Sequence, residues 1–338
     1  MRTSVFPGGT LPLVVEPGDR SVDALVEALP SYTDALRTHG ALLLRGFAVD
    51  DAPAFERVAR TIAPDLQDNY LGTSPRNALT PYVFTASELP PHYPIPQHAE
   101  MTFLPRPPKR LFFCALAPNT GPGGETPLCD LRRVYKDVPE ELRERWITKG
   151  IRIVRNYTGP ETTKKDPRQL KRWDEMFGTT DRARVDAVCA EHAMTPEWRA
   201  DGRLRITSTQ PAVRVHPETG EPTWYNHAHV FHGSAGPQEF RRIAGRMGFG
   251  WRRWQAAATA LRWWEGLRQP AEDGAMHVTF ADGTEIPDAD FEVVRDAYWK
   301  NMVFPKWERG DVYVIDNASV AHGRMPYSGD RLVVVSWA

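Results

Sequence analysis

Short apolar runs closed by turn residues mark both ends of the chain, and helix-period patterns lie before and between them. Residues 41–44 are all apolar, and the run ends at Gly46, as a buried strand would. Residues 21–29 and 52–62 repeat apolar positions at helical spacing, and Asp50 and Asp51 are both available to cap the second helix. Residues 71–96 are rich in Thr, Ser and Pro and read as loop with short strands. Residues 110–116 predict a strong strand, followed by Gly121, Gly123 and Gly124, whose freedom at positive φ permits a tight turn back into a strand.

From 131 to 203 charge and helix formers increase, with helical windows at 140–146, 169–177 and 182–192. No flexible linker marks the edges of this stretch, so it is expected as a helical insertion at about 131–203 within a single domain of residues 1–338. Strand patterns return at 203–215 and 223–231, joined by His216, Pro217, Glu218, Thr219 and Gly220, which is turn chemistry. Residues 248–267 predict a Trp-rich, partly exposed helix, 281–283 an acidic turn, 291–299 a short helix, and 310–317 and 331–337 two closing strands. Turn-bounded strands at both ends, with helices at the start and middle, imply an α+β fold. Its expected core is a double-stranded β-helix, a jelly-roll or cupin-like barrel, with N-terminal helices and the helical insertion.

Composition narrows the partners. With 42 basic and 43 acidic residues the formal net charge is −1, so there is no basic excess for nucleic acid. No apolar run approaches a membrane span, and residues 1–12 lack the blocks of a signal peptide, so a cytoplasmic protein is expected. Cys114, Cys129 and Cys189 have no CxxC spacing and read as small buried residues. Trp251, Trp254, Trp263 and Trp264 read as core or subunit contacts, which leaves a homo-oligomer open.

His98, Ala99 and Glu100 place an imidazole and a carboxylate two residues apart, on one face of an extended segment. Chance alone predicts about 1.3 copies of this pattern in a chain of such composition, and two occur, the other at His216 to Glu218. The second copy falls in what reads as an exposed hairpin turn. His227 and His229 share a face of a predicted strand but lack a companion carboxylate. The distal partner best suited to the first copy is His322, which lies between the last two predicted strands. Two imidazoles and a carboxylate on one face of an iron leave three coordination positions open, which suits oxygen and a bidentate organic acid.

Five motifs recur in order in one family: Thr73-Ser74-Pro75-Arg76, His98-Ala99-Glu100, Gly123-Gly124-Glu125-Thr126-Pro127, Trp224-Tyr225-Asn226, and Asp316-Asn317 through His322-Gly323-Arg324 to Arg331. On these the chain resembles the taurine dioxygenase-like (TauD/TfdA) iron(II)/2-oxoglutarate oxygenases, closest to the clavaminate synthase-like and syringomycin-pathway hydroxylase branch. The resemblance implies iron ligands at His98, Glu100 and His322, with no catalytic residue beyond them. It implies Arg331 as the anchor of the far 2-oxoglutarate carboxylate, with Thr126 supporting it, and Fe(II), 2-oxoglutarate and O2 as cofactors. Arg324 would either line the site or brace an acidic residue, and Asn226 is a candidate for the pocket lining. Retention of Glu100 argues against halogenation, since halogenating relatives carry a small residue there. The implied reaction is oxidation, by default hydroxylation, of an unactivated C–H bond. Desaturation, cyclisation and rearrangement stay open as outcomes. The implied substrate is a small molecule, an amino acid, a carrier-bound aminoacyl group or another natural-product intermediate. The reading from another class is a non-catalytic cupin-like metal-binding pathway protein, which succinate release with candidate substrates would exclude.

Overall fold

The apolar runs become the central strands of a sheet, and these are covered on both faces. The computed structural model describes residues 1–68, 70–72, 76–162 and 171–338. Its largest sheet joins β1 (Arg2–Val5), β2 (Leu13–Glu16), β3 (Ala41–Leu44), β15 (Val312–Asp316), β6 (Arg110–Ala117), β17 (Leu332–Trp337) and β4 (Phe84–Thr85) in that order. All pairs are antiparallel except β2–β3. Leu42, Leu44, Phe112, Cys114, Val312 and Val314 point to one core. There they meet α1 (Val22–Ala28), α2 (Thr33–His39) and α3 (Ala52–Ile62) through Leu25, Leu36, Phe55 and Val58. Leu43, Leu111, Phe113, Tyr313 and Ile315 point to the other. With both faces covered, every position must be apolar, which is why these strands read as continuous runs. Ser21 and Asp51 cap α1 and α3, their side-chain oxygens accepting from the Ala24 and Ala54 amides.

A second sheet, β14 (Met302–Val303), β7 (Leu128–Asp130), β16 (Val320–Arg324) and β5 (Ile95–His98), packs into that second core. So does a third, β13 (Met276–Phe280), β8 (Ile151–Tyr157), β10 (Leu204–Gln210) and β9 (Thr195–Trp198). Residues 131–203 hold α4 (Leu131–Asp137), α5 (Glu140–Lys149), α6 (Trp173–Phe177) and α7 (Arg182–Glu191), but also β8 and β9. The stretch expected as a helical insertion is therefore of mixed structure. Arg152, Arg155 and Asn156 interrupt the apolar pattern of β8 and hid it in the sequence. The predicted helix at 169–177 lies partly outside the described residues, and its described part is α6.

Two further differences concern the candidate residues. The hairpin β11 (Arg214–Val215) and β12 (Pro222–Thr223) exists, but His216 at its turn is buried rather than exposed. The predicted strand 223–231 is instead a two-residue strand followed by α8 (Ala228–Phe231), so His227 and His229 do not share a strand face. Then come α9 (Ala235–Met247), α10 (Arg252–Arg268) and α11 (Asp288–Lys300). No residue of α10 is buried, and Trp263 and Trp264 are 68% and 44% exposed, so these two are not core. Among the described residues no helix is long and apolar enough to cross a membrane. The three cysteines are buried and free.

His216 supports the end of β15. Its Nδ1 accepts the Glu218 and Thr219 amides, so the proton sits on Nε2, which donates to Asp316 Oδ2 at 2.7 Å. Arg110 donates to the other carboxylate oxygen at 3.0 Å. Burial pushes the Asp316 carboxyl up, but His216 and Arg110 outweigh it and hold it below its ordinary value. A carboxyl depressed in the folded state contributes stability that is full above its unfolded pKa and is lost as pH falls through the folded value. Asp316→Asn should therefore lose about 1.5–3 kcal/mol at pH 7 and flatten the loss of stability below about pH 4. Urea unfolding at pH 7 and across pH 5 to 3 measures both; an unchanged acid limb would remove Asp316 from this role.

Candidate metal centre

Strand register brings the two histidines together. β16 pairs with β5 so that His322 lies directly across from His98, and with β7 so that it lies across from Leu128. The β5 register shifts just after His322, and Gly323 occupies the shift. A Cβ there would stand 2.6 Å from the Ile95 carbonyl oxygen, so only glycine lets the strands close. Glu100 follows β5 by two residues, and Met101 turns the chain away at φ 51°, a left-handed conformation that costs a non-glycine residue energy.

One donor atom from each of His98, Glu100 and His322 lies within 4.8 Å of the others, and His322 Nε2 is 3.9 Å from Glu100 Oε2. His98 Nδ1 donates to the Pro96 carbonyl at 2.9 Å, which fixes the proton there and leaves Nε2 with its lone pair. Burial, then His98 and Arg76, hold His322 well below the usual imidazole range, so it too is neutral. Its Nδ1 has no hydrogen-bond partner among the described residues. Neutral imidazoles and a carboxylate are the donor set that iron(II) accepts, so the residues fit that ion.

Glu100 is held from both ends. Arg76 Nη2 donates to Oε2 at 3.1 Å with both side chains buried, and the Tyr70 hydroxyl lies 3.4 Å from Oε1. Burial pushes the Tyr70 phenol up to about 12, so it stays a donor. Asn317 grips the Glu100 backbone, accepting its N–H at 2.7 Å and donating to its C=O at 3.0 Å.

A second cationic group lies half-buried at the corner before β7. Arg331 donates only to neutral oxygens, Gly124 O at 3.2 Å and Thr126 Oγ1 at 3.3 Å, and burial lowers its guanidinium to about 10. Trp307 Nε1 also donates to Thr126 Oγ1, so that hydroxyl accepts twice and its own proton is free to donate outward. The next residue, Pro127, accepts the Gly323 amide at 3.2 Å, which ties this corner to the histidine strand. Gly123 makes the approach possible, because a Cβ would fall 1.9 Å from Pro326 O.

The taurine catabolism dioxygenase TauD, TfdA family matches residues 19–337. The chain belongs to this family. It is a non-haem Fe(II)/2-oxoglutarate-dependent dioxygenase, using O2. It is 30% identical to the dapdiamide synthesis protein DdaC of Enterobacter agglomerans, over 94% of this chain and 87% of that one. It is 29% identical to a clavaminate synthase-like protein of Arabidopsis thaliana, over 96% and 92%. PvcB of Pseudomonas aeruginosa shares its fold, with TM-score 0.53 and 16% identity over 99% of this chain and 90% of that one.

In this TauD/TfdA dioxygenase the other candidates have structural work. Arg324 donates to the Leu89, Pro90 and Tyr93 carbonyls. Asn226 joins Ala212 O to the Ala228 amide, holding the start of α8. His229 bonds Gln97 O, and His227 bonds Thr102 Oγ1 at 2.5 Å. Thr73, Ser74 and Pro75 of the first motif lie outside the described residues, while Arg76 is the brace of Glu100. Sequence reasoning missed that role, and those of Tyr70 and Asn317, because they join positions 24, 30 and 217 residues apart.

Removing one member of a buried ion pair strands the other. Arg76→Met should destabilise the metal-free protein by about 3–5 kcal/mol, read by denaturant unfolding. A cost below about 1 kcal/mol would mean that Glu100 does not depend on Arg76.

Proposed function

We propose that this dioxygenase hydroxylates an unactivated C–H bond of a small amino-acid-like or natural-product intermediate, with succinate and CO2 as co-products. Iron(II) is held by His98, Glu100 and His322, and the far carboxylate of 2-oxoglutarate by Arg331 with Thr126. The observation that carries this reading is the close triad of donors at the paired strands β5 and β16, together with a half-buried guanidinium that pairs with no carboxylate among the described residues. The two sheets that meet at the site are read as the double-stranded β-helix, and residues 1–338 as one domain.

When bound, iron and 2-oxoglutarate with O2 supply the oxidising power, and the protein supplies position and dryness. His98 and His322 present neutral nitrogens from two paired strands. Glu100, paired with Arg76, would fill a position on the metal that a halide would need, which favours hydroxylation over halogenation. Arg331 offers a two-point fork to a carboxylate, and the free Thr126 proton adds a donor. Phe113 packs against His322, with ring centres 4.9 Å apart, and keeps water from that side. The name of the dapdiamide synthesis relative supports a natural-product intermediate as substrate.

Anaerobic addition of iron(II) and 2-oxoglutarate should give a weak visible charge-transfer band. His98→Ala should abolish it, and an undiminished band in that variant would move the metal elsewhere. Arg331→Ala should keep the band but raise the 2-oxoglutarate requirement by about 2–4 kcal/mol; an unchanged requirement rejects Arg331 as the anchor.

A further inference from the structure

A second buried guanidinium lies on the inner face of the third sheet. Arg155 alternates with Ile151, Ile153 and Tyr157 on β8, all buried, and stands opposite Ile206 of β10. It is 1% exposed, yet its Nε and Nη1 have no hydrogen-bond partner and no carboxylate pairs with it among the described residues. Its Nη2 reaches only the Met194 sulfur at 3.0 Å, a weak acceptor. Leaving a charged donor so poorly matched in the interior is costly, and each such group calls for an explanation.

The neighbours point the same way. Ser208 Oγ and both amide atoms of Gln210 are also buried without partners, and the β8–β10 register puts them on the same face as Arg155. The Tyr157 phenol lies beside the guanidinium; burial raises its pKa and Arg155 partly offsets that. Such polar atoms are rare singly in a native interior, and here they share one sheet face.

That face looks toward the metal centre. The guanidinium lies 4.1 Å from the centre of the Phe103 ring, three residues past Glu100. Phe103 packs edge-on to His227, with centres 5.8 Å apart, and His227 is 5.3 Å from His98.

We propose that Arg155 is the anchor for a carboxylate of the organic substrate, with Ser208 and Gln210 on the same sheet face available to its other polar groups. This deepens, and rests on, the oxygenase reading above. The substrate class is a small carboxylic acid whose carboxylate takes the place of the Met194 thioether, while Phe103 contacts both the anchor and His227. The group is distinct from Arg331, which lies just before β17 of the large sheet.

Two measurements test it. In metal-free and ligand-free protein, Arg155→Met should raise Tm by roughly 2–4 °C, because it replaces an unmatched buried charge by an apolar chain of similar length. A fall in Tm would make the guanidinium a structural group and overturn the proposal. In protein loaded anaerobically with iron(II) and 2-oxoglutarate, the twenty protein L-amino acids and their amides serve as probes of the visible band. At least one free acid should perturb the wild-type band, with its amide about tenfold weaker or worse, and Arg155→Met should erase that preference. The proposal fails if no acid is preferred over its amide, or if the variant keeps the preference. The band before any amino acid is added reports the metal and 2-oxoglutarate reading separately.

Discussion

The site depends on one strand register, His322 across from His98. A shift of one residue would turn every side chain of β16 to the opposite face and carry His322 away from Glu100. The register is secured from both sides, by β7 pairing through Leu128 and by the irregularity that only Gly323 permits. Both neighbours of β16 are thereby committed. The corner before β7 carries Thr126, and its close contact with the Pro326 carbonyl sets the glycine turn against the connection into β17 and Arg331. The donor pair and the cosubstrate corner are therefore consequences of the same pairing.

Burying Glu100 in this place needs compensation, and the chain supplies it from distant positions. Arg76 balances the charge, and Asn317 fixes the backbone so that the left-handed Met101 can turn away. Asp316, next to Asn317, is in turn fixed by His216 and Arg110. The second His-x-acid pattern thus serves the first through this chain of contacts, with Glu218 itself pairing with Arg37 and Arg110. A guanidinium that stays charged at any working pH suits the brace, because Glu100 keeps its counter-charge whether or not a cation is bound.

What was legible in the sequence follows from how each element is buried. Strands covered on both faces, β3, β6, β15 and β17, showed as apolar runs, and the well-capped α1 and α3 showed as helices. β8 did not, because its inner face carries Arg155 and Tyr157 among the apolar positions. α8 was misread as a strand since its four residues are too short to show a helical period, and its start is set by Asn226 rather than by local propensity. In the site, the triad, Arg331 and Thr126 were marked by motifs, and the structure brings the three donors together and bonds Arg331 to Thr126. The bracing contacts could not be read, since pairing across 217 residues leaves no local pattern.

The interruption that hid β8 is itself informative. A strand facing a hydrophobic core gains about 25 cal/mol for each square ångström of apolar surface buried, and Arg155 forgoes much of that gain while leaving two donors unmatched. Arg295, equally buried, also has an unpartnered Nε among the described residues, but it donates to Ser234, Gln238 and the His229 carbonyl, three oxygen acceptors where Arg155 has a single sulfur. Arg331, half-buried, and Arg155, buried, pair with no carboxylate among the described residues. Arg155 stands on β8 and Arg331 just before β17, and only Arg331 is tied to the glycine corner beside the histidine strand. Changes around Arg155 on β8 and β10 can therefore alter which acid is held without disturbing the register that sets the metal donors.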